Sequence, residues 1–136
     1  MKAATPTPAR THHTTIQLRF ADTDALGHIN NGSFVVYAET ARLSFFNEIL
    51  DSSRSLILAH IAVDFRQQIR FGAQVEVLSW VEKVGTSSVS VMHQILANGE
   101  VAGEARAVVV YFDYEAQKSR PWTMPARAAL ETWKPL

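Results

Sequence analysis

Five polar residues crowd into ten positions: Asp22, Asp24, His28, Asn30 and Asn31. A largely apolar run follows directly, from Gly32 to Leu50. If that run is a helix, its start presents backbone N–H groups without intrahelical acceptors and the positive end of a dipole. Both suit an oxyanion forming in a transition state. A carboxylate beside them can attack a carbonyl carbon or take a proton from water. The pattern fits an acyl-transfer or hydrolysis site. It equally fits a plain turn, because Asp, Asn and Gly are the residues that turns use. Spacing alone leaves both readings of Asp24 and His28 open.

Other chemistries find less support. Asp22, Asp24 and His28 could hold a metal with His12 and His13, but adjacent side chains of an extended arm point apart, and no HExxH spacing occurs, so no metal is expected. The chain has no phosphate-cradling glycine loop of the GxGxxG or Walker type and no GxSxG elbow. Its 136 residues contain no cysteine, which excludes a thiol nucleophile, disulfides and thiolate-held metals. His93 shares strand parity with Val89, Val91 and Ile95 and reads as a buried or interface histidine. Arg66, Arg70, Lys83 and Arg120 could each meet a phosphate, or lie on ordinary wet surface. The three tryptophans do not alternate with basic residues, so they read as packing anchors, not as a platform for bases.

The elements that must position the front cluster can be read from periodicity. Residues 1–12 are expected to form a flexible arm and 13–136 a single domain. Ile16, Leu18 and Phe20 alternate with polar residues, as a strand with one wet face does. Phe34, Tyr37, Ala38, Ala41, Phe45 and Ile49 recur at helical spacing, and Val35, Leu43 and Phe46 widen the apolar surface, so the helix is expected to be buried on most sides. Asn30 or Asn31 could cap it, and Asp51 to Ser53 end it. A long strand is read from Ile61 to Phe71, then strands at 74–84, 86–97 and 100–112. Asn98-Gly99 predicts a two-residue hairpin between the last two, and Pro125 opens a short closing helix. The sum is an α+β chain: about five antiparallel strands curving around one long helix. One sheet layer leaves surface uncovered, which a second copy would close.

Composition agrees with one soluble domain. Apolar residues make up 47%, and thirteen basic residues balance thirteen acidic ones. Zero net charge gives no support to a nucleic-acid coat. No apolar run is long enough to span a membrane, and the first eleven residues lack a signal-peptide core, so a cytoplasmic protein is expected.

The stretch Arg19 to Asn31, reading RFADTDALGHINN, resembles the signature of the hotdog-fold thioesterases, in particular their 4-hydroxybenzoyl-CoA thioesterase-like and short acyl-CoA thioesterase-like subgroup. Phe34, Tyr37 and Glu39 continue the helix in the family manner. Weaker matches are Phe65-Arg66, Arg70-Phe71, Val84 to Ser88 and Arg120 to Pro125, so the likeness spans roughly residues 14 to 130. It implies a hotdog fold and hydrolysis of an acyl-CoA to free acid and CoA. Asp24 would be nucleophile or general base, and the Asn31 backbone N–H would polarise the thioester carbonyl. Gly27 would permit close approach, with His28 and Asn30 in support. His28 is often missing from the hydroxybenzoyl-specific members, so the chain looks more like the general acyl-CoA branch. Arg66, Arg70, Lys83 and Arg120 become candidates for CoA phosphates, and Phe34, Tyr37, Ala38 and Phe65 for the acyl pocket. The family needs no cofactor, and its sites are shared between the subunits of a homodimer or homotetramer. Two other readings remain: the same chemistry on an acyl carrier protein, and a non-catalytic binder of acyl thioesters.

Overall fold

The computed structural model describes residues 4–50 and 55–136, so the helix stop expected at Asp51 to Ser53 lies outside the described residues. In chain order the elements are β1 (His12–Ile16), a 3-10 turn (Phe20–Asp22), α1 (Asn31–Ile49), β2 (Leu56–Phe65), β3 (Val75–Val84), β4 (Ser88–Ala97), β5 (Glu100–Asp113), β6 (Lys118–Ser119) and α2 (Met124–Thr132). The antiparallel sheet has the order β1-β3-β4-β5-β2, and β6 adds a short pairing to β5. This is the expected α+β hotdog architecture, with α1 lying across the inner face of the sheet. Asn98 and Gly99 adopt φ of 50° and 83°, the left-handed pair that a tight hairpin demands. No helix among the described residues is long and apolar enough to cross a membrane.

The core sits between α1 and the sheet as two apolar clusters. One joins Phe34, Tyr37 and Ala41 to Ile29, Ile69, Val77 and Ile95. The other joins Phe45 and Phe46 to Val81, Val89, Val91, Trp122 and Leu130. Each fully buried Phe or Ile contributes roughly 1.5–3 kcal/mol. A polar row runs along the same inner face, because His12, Ser79 and His93 are register partners across β1, β3 and β4. His93 Nδ1 meets Ser79 Oγ at 2.7 Å. Burial, with the charges of Arg42 and His12, drives the His93 pKa down to about 3 and keeps the ring neutral.

Three expectations change. The first strand ends at Ile16, and Phe20 enters the 3-10 turn with its ring in solvent. The strand read through Phe71 ends at Phe65, because the N–H groups of Arg66 and Gln67 both turn to the Ala102 carbonyl. The helix is buried on one side only: Val35, Val36 and Leu43 are exposed, since a single sheet layer covers one face. The N-terminal arm is bonded to the sheet from Thr5 onward. Thr5 N–H donates to the Glu104 carboxylate at 3.1 Å, and Thr7 Oγ1 to Gln94 at 2.6 Å. Farther along the arm Arg10 donates to the Thr132 carbonyl at 2.9 Å and lies over the Trp133 ring. On the outer sheet face Leu78 and Trp80 form an apolar group with Met92 and Leu96.

Candidate active site

The loop before α1 is held by its own backbone. Asn30 N–H donates to Asp22 O at 2.7 Å, and Ile29 N–H to Ile69 O at 2.7 Å. Inside that frame Asp24 N–H reaches His28 O at 2.7 Å. Gly27 closes the turn at φ 83°, a region that side-chain-bearing residues avoid. The early exit of β2 serves this arrangement, because it brings the Ile69 carbonyl under the loop.

The two aspartates receive opposite surroundings. Asp22 is buried, and its carboxylate accepts from the Tyr37 hydroxyl at 2.8 Å and from Arg19 Nη2 at 2.9 Å and backbone N–H at 3.1 Å. Burial pushes its pKa up, but the Tyr37 and Arg19 donors outweigh it and hold the group below the ordinary carboxylate value. Burial and the same carboxylate push the Tyr37 hydroxyl far above its ordinary value. Asp22 is thereby spent on structure. Asp24 is exposed, and its Oδ1 accepts from the N–H groups of Leu26 at 2.8 Å and His28 at 3.1 Å. Those two donors lower its pKa, so the group is an anion at neutral pH with one oxygen uncommitted.

Asn30 is the N-cap of α1, its Oδ1 accepting from Gly32 N–H at 2.8 Å. Asn31 follows as the first helical residue, where a backbone N–H has no intrahelical acceptor. A cavity of about 240 Å³ opens between this helix start and the end of β2, lined by Asp24, His28, Ile29, Asn31, Phe34, Phe65 and the run 66–68. His28 Nδ1 is buried there without a hydrogen-bond partner among the described residues. A larger hollow of about 490 Å³ lies between the end of α1 and α2, but its described lining holds no carboxylate, imidazole or cation. Of these two spaces, the smaller is the one whose described lining brings a carboxylate and a helix start together.

The remaining candidates are dispersed. Tyr37 and Ala38 are buried in α1, with the Tyr37 hydroxyl committed to Asp22. The Arg66 guanidinium pairs with buried Glu104 at 2.8 Å on the outer sheet face. Arg70 is exposed and bridges His28 through the backbone, which sets it beside the cavity. Lys83 stands near the far end of β3, and Arg120 pairs with Asp113 at 2.7 Å beyond β6. Gln67 and Gln68 also line the cavity, although nothing in the sequence marks them as site residues. They fall in the stretch whose alternation reads as continuous strand, and only the break after Phe65 turns them toward the loop.

Residues 18–130 match the family model described as "Thioesterase-like superfamily". The Bacillus subtilis (strain 168) uncharacterised protein YsmA is 27% identical over 114 residues, 79% of this chain and 77% of its own. A predicted thioesterase from Bacillus stearothermophilus superposes with a TM-score of 0.86 at 27% identity, covering 92% of this chain and 97% of that one. A Thermus thermophilus thioesterase complexed with coenzyme A and zinc gives 0.83 at 29% identity, over 91% and 96%.

Proposed function

Because the chain belongs to the thioesterase-like superfamily, we propose that it hydrolyses acyl-CoA thioesters, with Asp24 as the reacting carboxylate and Asn31 N–H as the carbonyl-polarising donor. One observation carries the reading: an ionised, backbone-oriented carboxylate and a helix start border the same cavity. A thioester carbonyl placed between them would develop its negative oxygen at the helix end, where a fixed donor and the dipole favour it. Asp24 then has two routes. It can attack the carbonyl carbon, giving an acyl anhydride that water cleaves, or take a proton from water as that water attacks. In either route the C–S bond breaks, the thiol leaves and the free acid remains. Gly27 and Asn30 hold the loop, and the orphan nitrogen of His28 is available to orient water or substrate.

Coenzyme A held by the Thermus thermophilus relative supports CoA as the thiol carrier. Arg70 is the cation best placed to meet its phosphates at the cavity mouth, with Arg66, Lys83 and Arg120 farther off or paired. The half-open site and the exposed apolar residues Ile57, Leu58 and Phe65 on edge strand β2 support a dimer that joins these edges and completes each site. The test is thiol release from acetyl-, butyryl-, hexanoyl-, decanoyl-, palmitoyl- and benzoyl-CoA. Hydrolysis is expected for part of that series, and Asp24→Asn should lower it by about 10²–10⁴-fold. Folded protein that releases no thiol from any of them refutes the reading.

A further inference from the structure

Gly103 lies in β5, paired with Phe65 of β2 on one side and Ile95 of β4 on the other. It is on the inner face, and the ring of Phe34 rests directly on it. A Cβ at Gly103 would stand 2.8 Å from Phe34 Cδ2 and 3.0 Å from Cε2, closer than carbon atoms pack. The missing side chain is therefore what allows the ring to lie back against the sheet. Phe34 is also one helical turn past Asn31, and it walls the candidate cavity. Its ring meets that of Phe65 edge-on, with centroids 5.2 Å apart at 71°. The buried Phe34 ring and the half-exposed Phe65 ring thus form one wall of the space that begins at Asp24.

We propose that Gly103, by setting the depth of Phe34, fixes the length of acyl group this site accepts, and that the substrates are thioesters of short or compact acyl groups. This rests on the hydrolase reading above. Within one subunit the cavity beside these rings measures about 240 Å³, and the depth of the Phe34 ring sets how much of it an acyl group can use. Phe34 belongs to the buried cluster that includes Ile29, Tyr37, Ile69 and Ile95, and it also lines the cavity. To reach an ordinary 3.4 Å contact with a new Cβ, the ring would retreat by about 0.6 Å toward that volume. One methylene of fit in an apolar pocket changes selectivity by about 10–200-fold, so a displacement of this size is measurable.

The experiment is kcat/KM across an acyl-CoA series from acetyl to decanoyl for the wild type, Gly103→Ala, Phe34→Leu and the double variant, with melting temperature as the folding control. The wild type should fall off steeply beyond short chains. Gly103→Ala should cut the ratio of longest accepted chain to acetyl by about tenfold, and Phe34→Leu should raise the long-chain ratio by a similar factor. In the double variant the alanine should lose its effect, because the ring it displaces is gone. If Gly103→Ala does not fold, Phe34→Leu alone decides the matter. Active, folded variants with the wild-type chain-length profile overturn this inference and leave the hydrolase reading standing. A wild type that cleaves nothing in the series overturns the hydrolase reading and this inference with it.

Discussion

Asp22 and Asp24 are two residues apart and chemically identical, yet replacement by asparagine should produce opposite failures. At Asp22 the substitution removes a buried charge that the Tyr37 hydroxyl and three Arg19 donors address. An asparagine oxygen can keep part of that set, but its NH₂ group faces donors. Charge-assisted hydrogen bonds contribute about 1.5–3 kcal/mol each. The Arg19 side chain is largely exposed, so its share is screened. A loss of about 3 kcal/mol is the reasonable sum, which for a chain of this length lowers the melting temperature by about 10 °C. At Asp24 the amide oxygen of asparagine can still accept from Leu26 and His28, and the position is open to solvent. Stability should barely move, while thiol release collapses. The assay pairs a thermal melt with acyl-CoA hydrolysis, the latter at a temperature where both variants are folded. Asp22→Asn should retain much of its turnover there. The reasoning fails if Asp22→Asn melts within a degree or two of the wild type, or if Asp24→Asn is the variant that loses stability.

Neutral His93 makes stability depend on pH. Its folded pKa of about 3 lies below the unfolded value near 6.5, so between these limits the unfolded chain binds the extra proton. Stability contributed by this ring is complete above pH 6.5 and should fall as pH drops, by up to about 1.4 kcal/mol per pH unit. Denaturant titrations at pH 7 and pH 5 would measure the slope, and His93→Gln should flatten it; an equal slope in that variant removes His93 as its source. Deleting residues 2–8 withdraws the Thr5 and Thr7 donors from buried Glu104 and Gln94, and should cost about 1–3 kcal/mol in the same titrations. A truncated chain as stable as the full one would mean that the arm merely rests on the sheet.

What could be read from sequence was what local rules govern. The helix follows from apolar residues at three- and four-residue spacing, and the Asn98-Gly99 hairpin from two left-handed residues in a row. The front loop is legible for the same reason, since its turn residues and its cap act on neighbours within a few positions. The illegible part depends on partners far away in the chain. Thr5 meets Glu104 across a separation of 99 residues, and no periodicity announces that a Pro- and Thr-rich arm will find a buried carboxylate. Arg66 reads in the sequence as a candidate for phosphate, and only the fold sets Glu104 opposite it. Tyr37 carries the right spacing for a pocket wall, but whether its hydroxyl points to substrate or to Asp22 is decided by the 3-10 turn, which the alternation of Ile16, Leu18 and Phe20 conceals.

That last case explains how one loop can hold two acids, separated by a single residue, in different states. In a strand, residues 22 and 24 would lie on the same face and share an environment. The 3-10 turn over Phe20–Asp22 and the Gly27 turn break that equivalence. The first rotates Asp22 inward, where Arg19 and Tyr37 wait; the second folds the chain back so that two N–H groups meet Asp24 in solvent. Burying Asp22 fixes the loop to α1 through Tyr37, two turns past the helix start. Asp24, the carboxylate proposed to react, can then remain exposed without being loose, because its orientation comes from backbone donors inside a loop anchored on both sides. Under the proposed function a carboxylate that reacts with a bulky thioester has to satisfy both conditions, and here Asp22 supplies the anchoring while Asp24 keeps the exposure.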